Sequence, residues 1–178
     1  CANQKWKGFD SITEHPDNDR AVIDSAIDWL QKRPGDKPFF IWVHLMAPHF
    51  PYTPPAPFDK RFDPEYDGIF DGTEKAYVLA TKQLGDFSER DLKHLIALYD
   101  GEAAFADEQA GRLWTAMKAN GCYDNCLSIL TADHGEELHD HHQYTDHKAS
   151  VYEPVMRIPL ILRAPGKIPV SRRDASVV

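Results

Sequence analysis

The spacing of apolar positions changes several times along the chain, and each change marks an element. Residues 10–18 are polar and lead into Pro16-Asp17-Asn18-Asp19, whose amide and carboxylate oxygens are able to accept from the first free amides of a helix. Val22, Ile23, Ala26, Ile27 and Leu30 then recur at steps of three and four, which predicts a helix with one apolar face, stopped by Pro34-Gly35. Phe39-Phe40-Ile41-Trp42-Val43 is instead a continuous apolar run and predicts a central parallel strand buried on both faces. From His44 to about Gly72 the periodicity disappears among six prolines, at 48, 51, 54, 55, 57 and 64. An irregular loop of that length inside a domain usually has a task of its own.

Helical spacing returns at Ser88-Glu89-Arg90-Asp91, a capping box in which hydroxyl and carboxylate each satisfy an end amide. The apolar face runs from Leu92 through Leu95, Ile96, Tyr99 and Ala103 to Leu113 and Met117, with Gly121 as the stop and Gly101 as a place for a bend or break. Leu127–Thr131 and Ile158–Leu162 read as two further short strands, with Pro159 near the start of the second, where a missing amide is tolerated. Strand, helix and strand in alternation predict an α/β fold with a mostly parallel sheet flanked by helices, whose ligands bind at the carboxyl ends of the strands. No internal repeat or low-complexity tract interrupts this order.

Composition narrows the class. A formal net charge of -8 without a Lys/Arg cluster excludes a nucleic-acid binder, and no apolar run is long enough to span a membrane. An anionic substrate would therefore need a metal or a few placed cations. Cys1, Cys122 and Cys126 are too few for a disulfide framework, and the latter two read as reduced thiols flanking a turn. The chain has no initiator Met, its first residues carry no signal-peptide pattern, and it stops at an apolar Val177-Val178. The expectation is one partial domain over residues 1–178, truncated at both ends.

Three places carry candidate chemistry. Asp133-His134-Gly135 follows a predicted strand directly, so a carboxylate and an imidazole, a metal-ligand pair by type, stand where α/β sheets bind ligands. A solvated Asp beside a packed His is the competing reading. The loop from Leu138 to Lys148 holds His139, His141, His142 and His147, most of them expected to be solvated rather than ligands, since no cysteine is near to complete a closed zinc site. His44 and His49 lie in the proline-rich segment, and Pro48 and Pro51 restrict the backbone around His49, which suits an imidazole held against a substrate.

Leu98–Glu102, Asp107-Glu108-Gln109 with Gly111-Arg112-Leu113, Gly121, Tyr123-Asp124-Asn125, Thr131–Glu137 and Tyr152–Ile161 occur in an order that resembles the sulfatase family of the alkaline phosphatase superfamily, over roughly residues 38 to 170. The resemblance implies hydrolysis of sulfate monoesters. It implies that Asp133 and His134 are two ligands of a divalent cation, calcium first and zinc or manganese as alternatives. It also implies that His49 and Lys148 contact the sulfate, with His147 competing for the role of Lys148. Such chemistry is coherent, because the leaving oxygen of a sulfate ester gains negative charge as the S–O bond breaks, and a cation and proton donors should converge there. His49 is the candidate general acid or leaving-group stabiliser.

The family's formylglycine nucleophile, formed from Cys or Ser in C/S-x-P-x-R, has no counterpart around any of the three cysteines, so the chain as given is expected to be inactive alone and to depend on a formylglycine elsewhere in its parent. Two ligands also fall short of the six or more oxygens that calcium takes. A smaller departure is His139, where relatives commonly show glycine, which puts the local backbone course in question. The implied partner is a small-molecule or carbohydrate sulfate ester, and the implied compartment of the parent is periplasmic or secreted. Within the superfamily, a phosphonate or phosphate ester hydrolase and a phosphoethanolamine transferase remain alternatives. A non-catalytic sulfatase-like domain is the reading from another class.

Overall fold

The computed structural model describes residues 8–35, 37–83, 86–141, 147 and 151–169. Its scaffold is a pair of packed helices. Helix α1 (Asp19–Lys32) starts where Asn18 Oδ1 accepts from the Ala21 amide at 3.0 Å, and it buries Ile23, Ala26 and Leu30, the face that the spacing predicts. Helix α3 (Glu89–Ala119) begins with the Ser88 hydroxyl accepting from the Asp91 amide at 3.1 Å and donating to the Asp91 carboxylate at 2.6 Å. It ends in a Schellman arrangement: the Gly121 amide donates to Lys118 O and the Cys122 amide to Met117 O, with Gly121 at φ +74.

α3 runs unbroken through Gly101, so the expected bend or break there is not what the glycine provides. A Cβ on Gly101 would stand 2.7 Å from the Phe58 carbonyl oxygen and 2.9 Å from Pro54. The missing side chain lets the proline-rich segment lie directly on the helix. That segment is folded tightly rather than loose. It contains a 3-10 turn at Phe58–Lys60, and Tyr52 and Phe70 are buried with Leu95 and Leu98 of α3 in one core cluster. Gly72, at φ +79, takes the Tyr52 amide on its carbonyl at 3.2 Å. A second ion-pair layer pins the same segment: Asp63 accepts from Arg90 Nη2 at 3.0 Å and pairs with His94 Nδ1 at 2.9 Å, while Tyr66 stacks on the His94 ring at 3.6 Å and donates to Asp91. Helix α2 (Glu74–Val78), continued by a π turn at Leu79–Gln83, has no clear apolar period and is not among the elements that the spacing predicts.

The sheet departs from expectation. Strands β1 (Ser128–Thr131) and β2 (Leu160–Arg163) fall where predicted, but they pair with each other antiparallel, Ser128 opposite Arg163 and Thr131 opposite Leu160. The expected mostly parallel sheet is therefore not formed among the described residues. Residues 39–43 make no ladder, and Phe40 and Trp42 are 71% and 69% exposed, which corrects the reading of a strand buried on both faces. A strand is buried only when neighbours cover it, and β1 and β2 have each other as partners. Helix α4 (Glu153–Met156) then leads into β2.

Candidate functional site

The carboxyl end of β1 carries the site. Beyond Thr131 the chain turns at Asp133-His134-Gly135 and is fixed against α4 by two backbone hydrogen bonds, Gly135 N–H to Val155 O at 2.7 Å and Glu136 N–H to Pro154 O at 3.1 Å. Gly135 is required for that approach, because a Cβ there would fall 1.9 Å from Pro154 O. The turn directs His134 toward two imidazoles from elsewhere in the chain. The His147 ring stacks on it with centroids 3.7 Å apart, and His49 stands edge-on to both, 6.5 Å from His134 and 5.3 Å from His147. Three of the sequence-predicted site residues thus meet, from segments far apart in the chain.

Hydrogen bonds fix the chemical form of these rings. His49 Nδ1 lies 2.5 Å from the Phe50 carbonyl and His134 Nδ1 lies 2.8 Å from the Gly135 carbonyl. A carbonyl only accepts, so each Nδ1 carries the proton, and in the neutral rings the Nε2 lone pairs are the ones presented. For His134 that is a ligating form, with the second nitrogen oriented by a carbonyl. For His49 it means that Nε2 gives a proton when the ring is doubly protonated and takes one when it is neutral. His147 Nδ1 pairs with Glu136 Oε1 at 3.2 Å.

Asp133 stands at the rim, its side chain 76% exposed and its Oδ1 3.7 Å from His134 Nε2. Partial burial pushes its carboxyl upward, but backbone hydrogen bonds from its own and the His134 amide, with charge on His134 and His44, outweigh this and hold it below the usual range. It is anionic at neutral pH, as a cation ligand must be. Asp133 and His134 together offer one carboxylate and one imidazole nitrogen, fewer donors than the six or more oxygens that a calcium ion takes. Among the described residues no three His, Cys, Asp or Glu side chains are arranged to hold a metal ion.

The other histidines go elsewhere. His141 pairs with the buried Glu137 at 3.0 Å and stacks on Tyr152, and His139 sits 3.4 Å from Asp86 with its backbone at φ +73. That positive φ explains why a glycine suits this position. Lys148 and His142 lie outside the described residues. Sequence reasoning missed Glu136, whose buried carboxylate holds His147. It also missed Asp19. Both Asp19 carboxylate oxygens reach the backbone just before His49.

Comparison with known proteins adds a family. The sulfatase family model matches residues 2–178. An arylsulfatase of Clostridium perfringens is 29% identical over 86% of this chain and 33% of its own length, and arylsulfatase K of Bos taurus is 27% identical over 87% and 32%. Among solved structures, the phosphonate monoester hydrolase of Agrobacterium radiobacter superposes with a TM-score of 0.65 at 27% identity, over 81% of this chain and 32% of that one. The chain spans about a third of the length of the curated relatives it matches. No helix among the described residues is long and apolar enough to cross a membrane.

Proposed function

Because the chain belongs to the sulfatase family, we propose that it supplies the strand-end half of a metal-dependent sulfuric ester hydrolase that cleaves sulfate monoesters. The observation that carries this reading is the meeting of His49, His134 and His147 beside Asp133 at the end of β1. Residues 1–178 act as one partial catalytic domain, and the mostly parallel sheet belongs to the same proposal, supported by the likeness in fold to the phosphonate monoester hydrolase.

Each group then has a role. Asp133 and His134 Nε2 would hold a divalent cation, calcium before zinc or manganese, and that cation would neutralise charge on the sulfuryl oxygens. His49 in its doubly protonated form donates from Nε2 to the leaving oxygen as the S–O bond breaks, while Nδ1–H stays on the Phe50 carbonyl. The ring is left neutral, with the Nε2 lone pair free to take a proton back from water. His147, held by Glu136, and Lys148 contact the sulfuryl oxygens. The nucleophile, a formylglycine, is not among the residues of this chain. The organic half of the ester is a small molecule or a carbohydrate.

Hydrolysis of an aryl sulfate beside the matching aryl phosphate, by the full-length protein and its Asp133→Ala variant, tests this. Sulfate turnover that exceeds phosphate turnover and collapses in Asp133→Ala is expected. Undiminished turnover in the variant removes the ligand role. The similarity to a phosphonate monoester hydrolase supports a second reading, phosphonate or phosphate ester hydrolysis, and a preference for the phosphate would select it.

A further inference from the structure

Asp19 is a buried acid, 7% exposed, on the first turn of α1, yet both of its carboxylate oxygens are bonded outside that helix. The cap is supplied by Asn18, which accepts from Ala21. Both Asp19 oxygens instead cross to the proline-rich segment. Oδ1 accepts from the Met46 amide and Oδ2 from the Ala47 amide, each at 2.8 Å. Those amides open the turn that the His49 amide closes on Met46 O at 2.7 Å. A carboxylate that accepts two amides at once fixes both the position and the tilt of the peptide between them, and charge-assisted bonds of this kind are about twice as strong as neutral ones.

From these contacts we infer that Asp19 is a positioning residue for His49, setting the place of the imidazole without touching substrate. The inference rests on the proton-donor role given to His49 above. On the far side of the same segment Tyr52 is buried against Leu95 and Leu98 of α3. The turn bearing His49 is thus gripped from α1 before the imidazole and from α3 after it. Asn at position 19 keeps the shape but turns an amide nitrogen toward one of the two backbone donors, so one bond is lost and a donor faces a donor.

A double-mutant cycle on the full-length protein tests this, with Asp19→Asn, His49→Ala and the pair, assayed with a sulfate ester of a poor leaving group. Asp19→Asn is expected to lower kcat roughly tenfold to a hundredfold with little change in KM, the scale of a misplaced catalytic group. In the His49→Ala background the same substitution should then change kcat less than about twofold, because the group it positions is gone. Asp28→Asn, on the exposed side of α1, should leave kcat unchanged. An equal loss in both backgrounds, or none in either, overturns the positioning role, whereas a silent His49→Ala overturns the proton-donor reading itself. Hydrogen exchange of the wild-type protein gives a check that needs no variant. The Met46 and Ala47 amides should be protected, and exchange at the rate of free backbone would refute the grip.

Discussion

The two halves of the site are held in different ways. The segment carrying His49 lies on α1 and α3, with Tyr52 and Phe70 in the core and the buried acids Asp19 and Asp63 bonded into it. The strand end carrying Asp133 and His134 is tied to the α4 segment by two backbone hydrogen bonds and touches the core only beyond it, through Leu138, while Leu127, Ile129, Leu160 and Ile161 around it are exposed. The His49 side is built into the helical scaffold, where moving it means opening a core. The Asp133–His134 side lies at the end of a two-stranded ladder, where displacement costs less stability but alters geometry directly.

That contrast is broken most sharply by two glycines. Gly72→Ala would drive a Cβ to 1.9 Å from Tyr52 O at a φ of +79, and should lower unfolding free energy by about 3 kcal/mol, read from the denaturant midpoint. Gly135→Ala makes an equally close approach, 1.9 Å to Pro154 O, yet should cost only about 1 kcal/mol. Its larger effect should be a fall of roughly a hundredfold in sulfate turnover, as the strand end shifts. If the two variants lose stability equally, the division between a rigid and a loosely held half disappears.

Asp63→Asn probes the ion-pair layer and should cost about 2 kcal/mol at neutral pH. The Arg90 hydrogen bond, opposed by burial and aided by His94, holds the Asp63 carboxyl below its ordinary 3.8. Its contribution is therefore present above that value and is lost as pH falls through the lower folded one. Denaturation curves of wild type and variant should converge on acidification.

Glu102→Gln should have the smallest effect and the opposite sign. Burial, offset in part by the Thr53 bond and reinforced by Asp19, raises the Glu102 carboxyl to about 7 from an ordinary 4.5. The folded state binds the extra proton between those values, so the stability that Glu102 contributes is full below 4.5 and falls as pH rises through about 7. The glutamine variant should match wild type at low pH and exceed it by on the order of 1 kcal/mol above neutrality, as seen in melting temperatures across pH. A constant difference at all pH values would count against a protonated Glu102.

How much of this was legible in the chain depends on range. α1 and α3 were visible because apolar spacing and capping residues act within one turn, and Asn18, Ser88 and Gly121 do what their types predict. His49 was marked by its flanking prolines and Asp133-His134 by their place after a strand. Gly101 was misread, since its purpose is the close approach of Phe58 and Pro54, which lie more than forty residues away. The run 39–43 reads as a buried strand because its side chains are apolar, but burial is a property of the assembled sheet and not of the run. Asp19 reads only as a helix-cap candidate and Glu136 only as part of a motif, because their partners, the amides of Met46 and Ala47 and the ring of His147, are brought to them only by the fold.

The most direct test is the dependence of sulfate ester hydrolysis on the leaving group, for the full-length protein and for His49→Ala. With His49 giving its proton to the departing oxygen, the variant should lose little with a good leaving group such as 4-nitrophenol and progressively more as the leaving group becomes more basic. A uniform loss across the series, or none, would contradict the assignment.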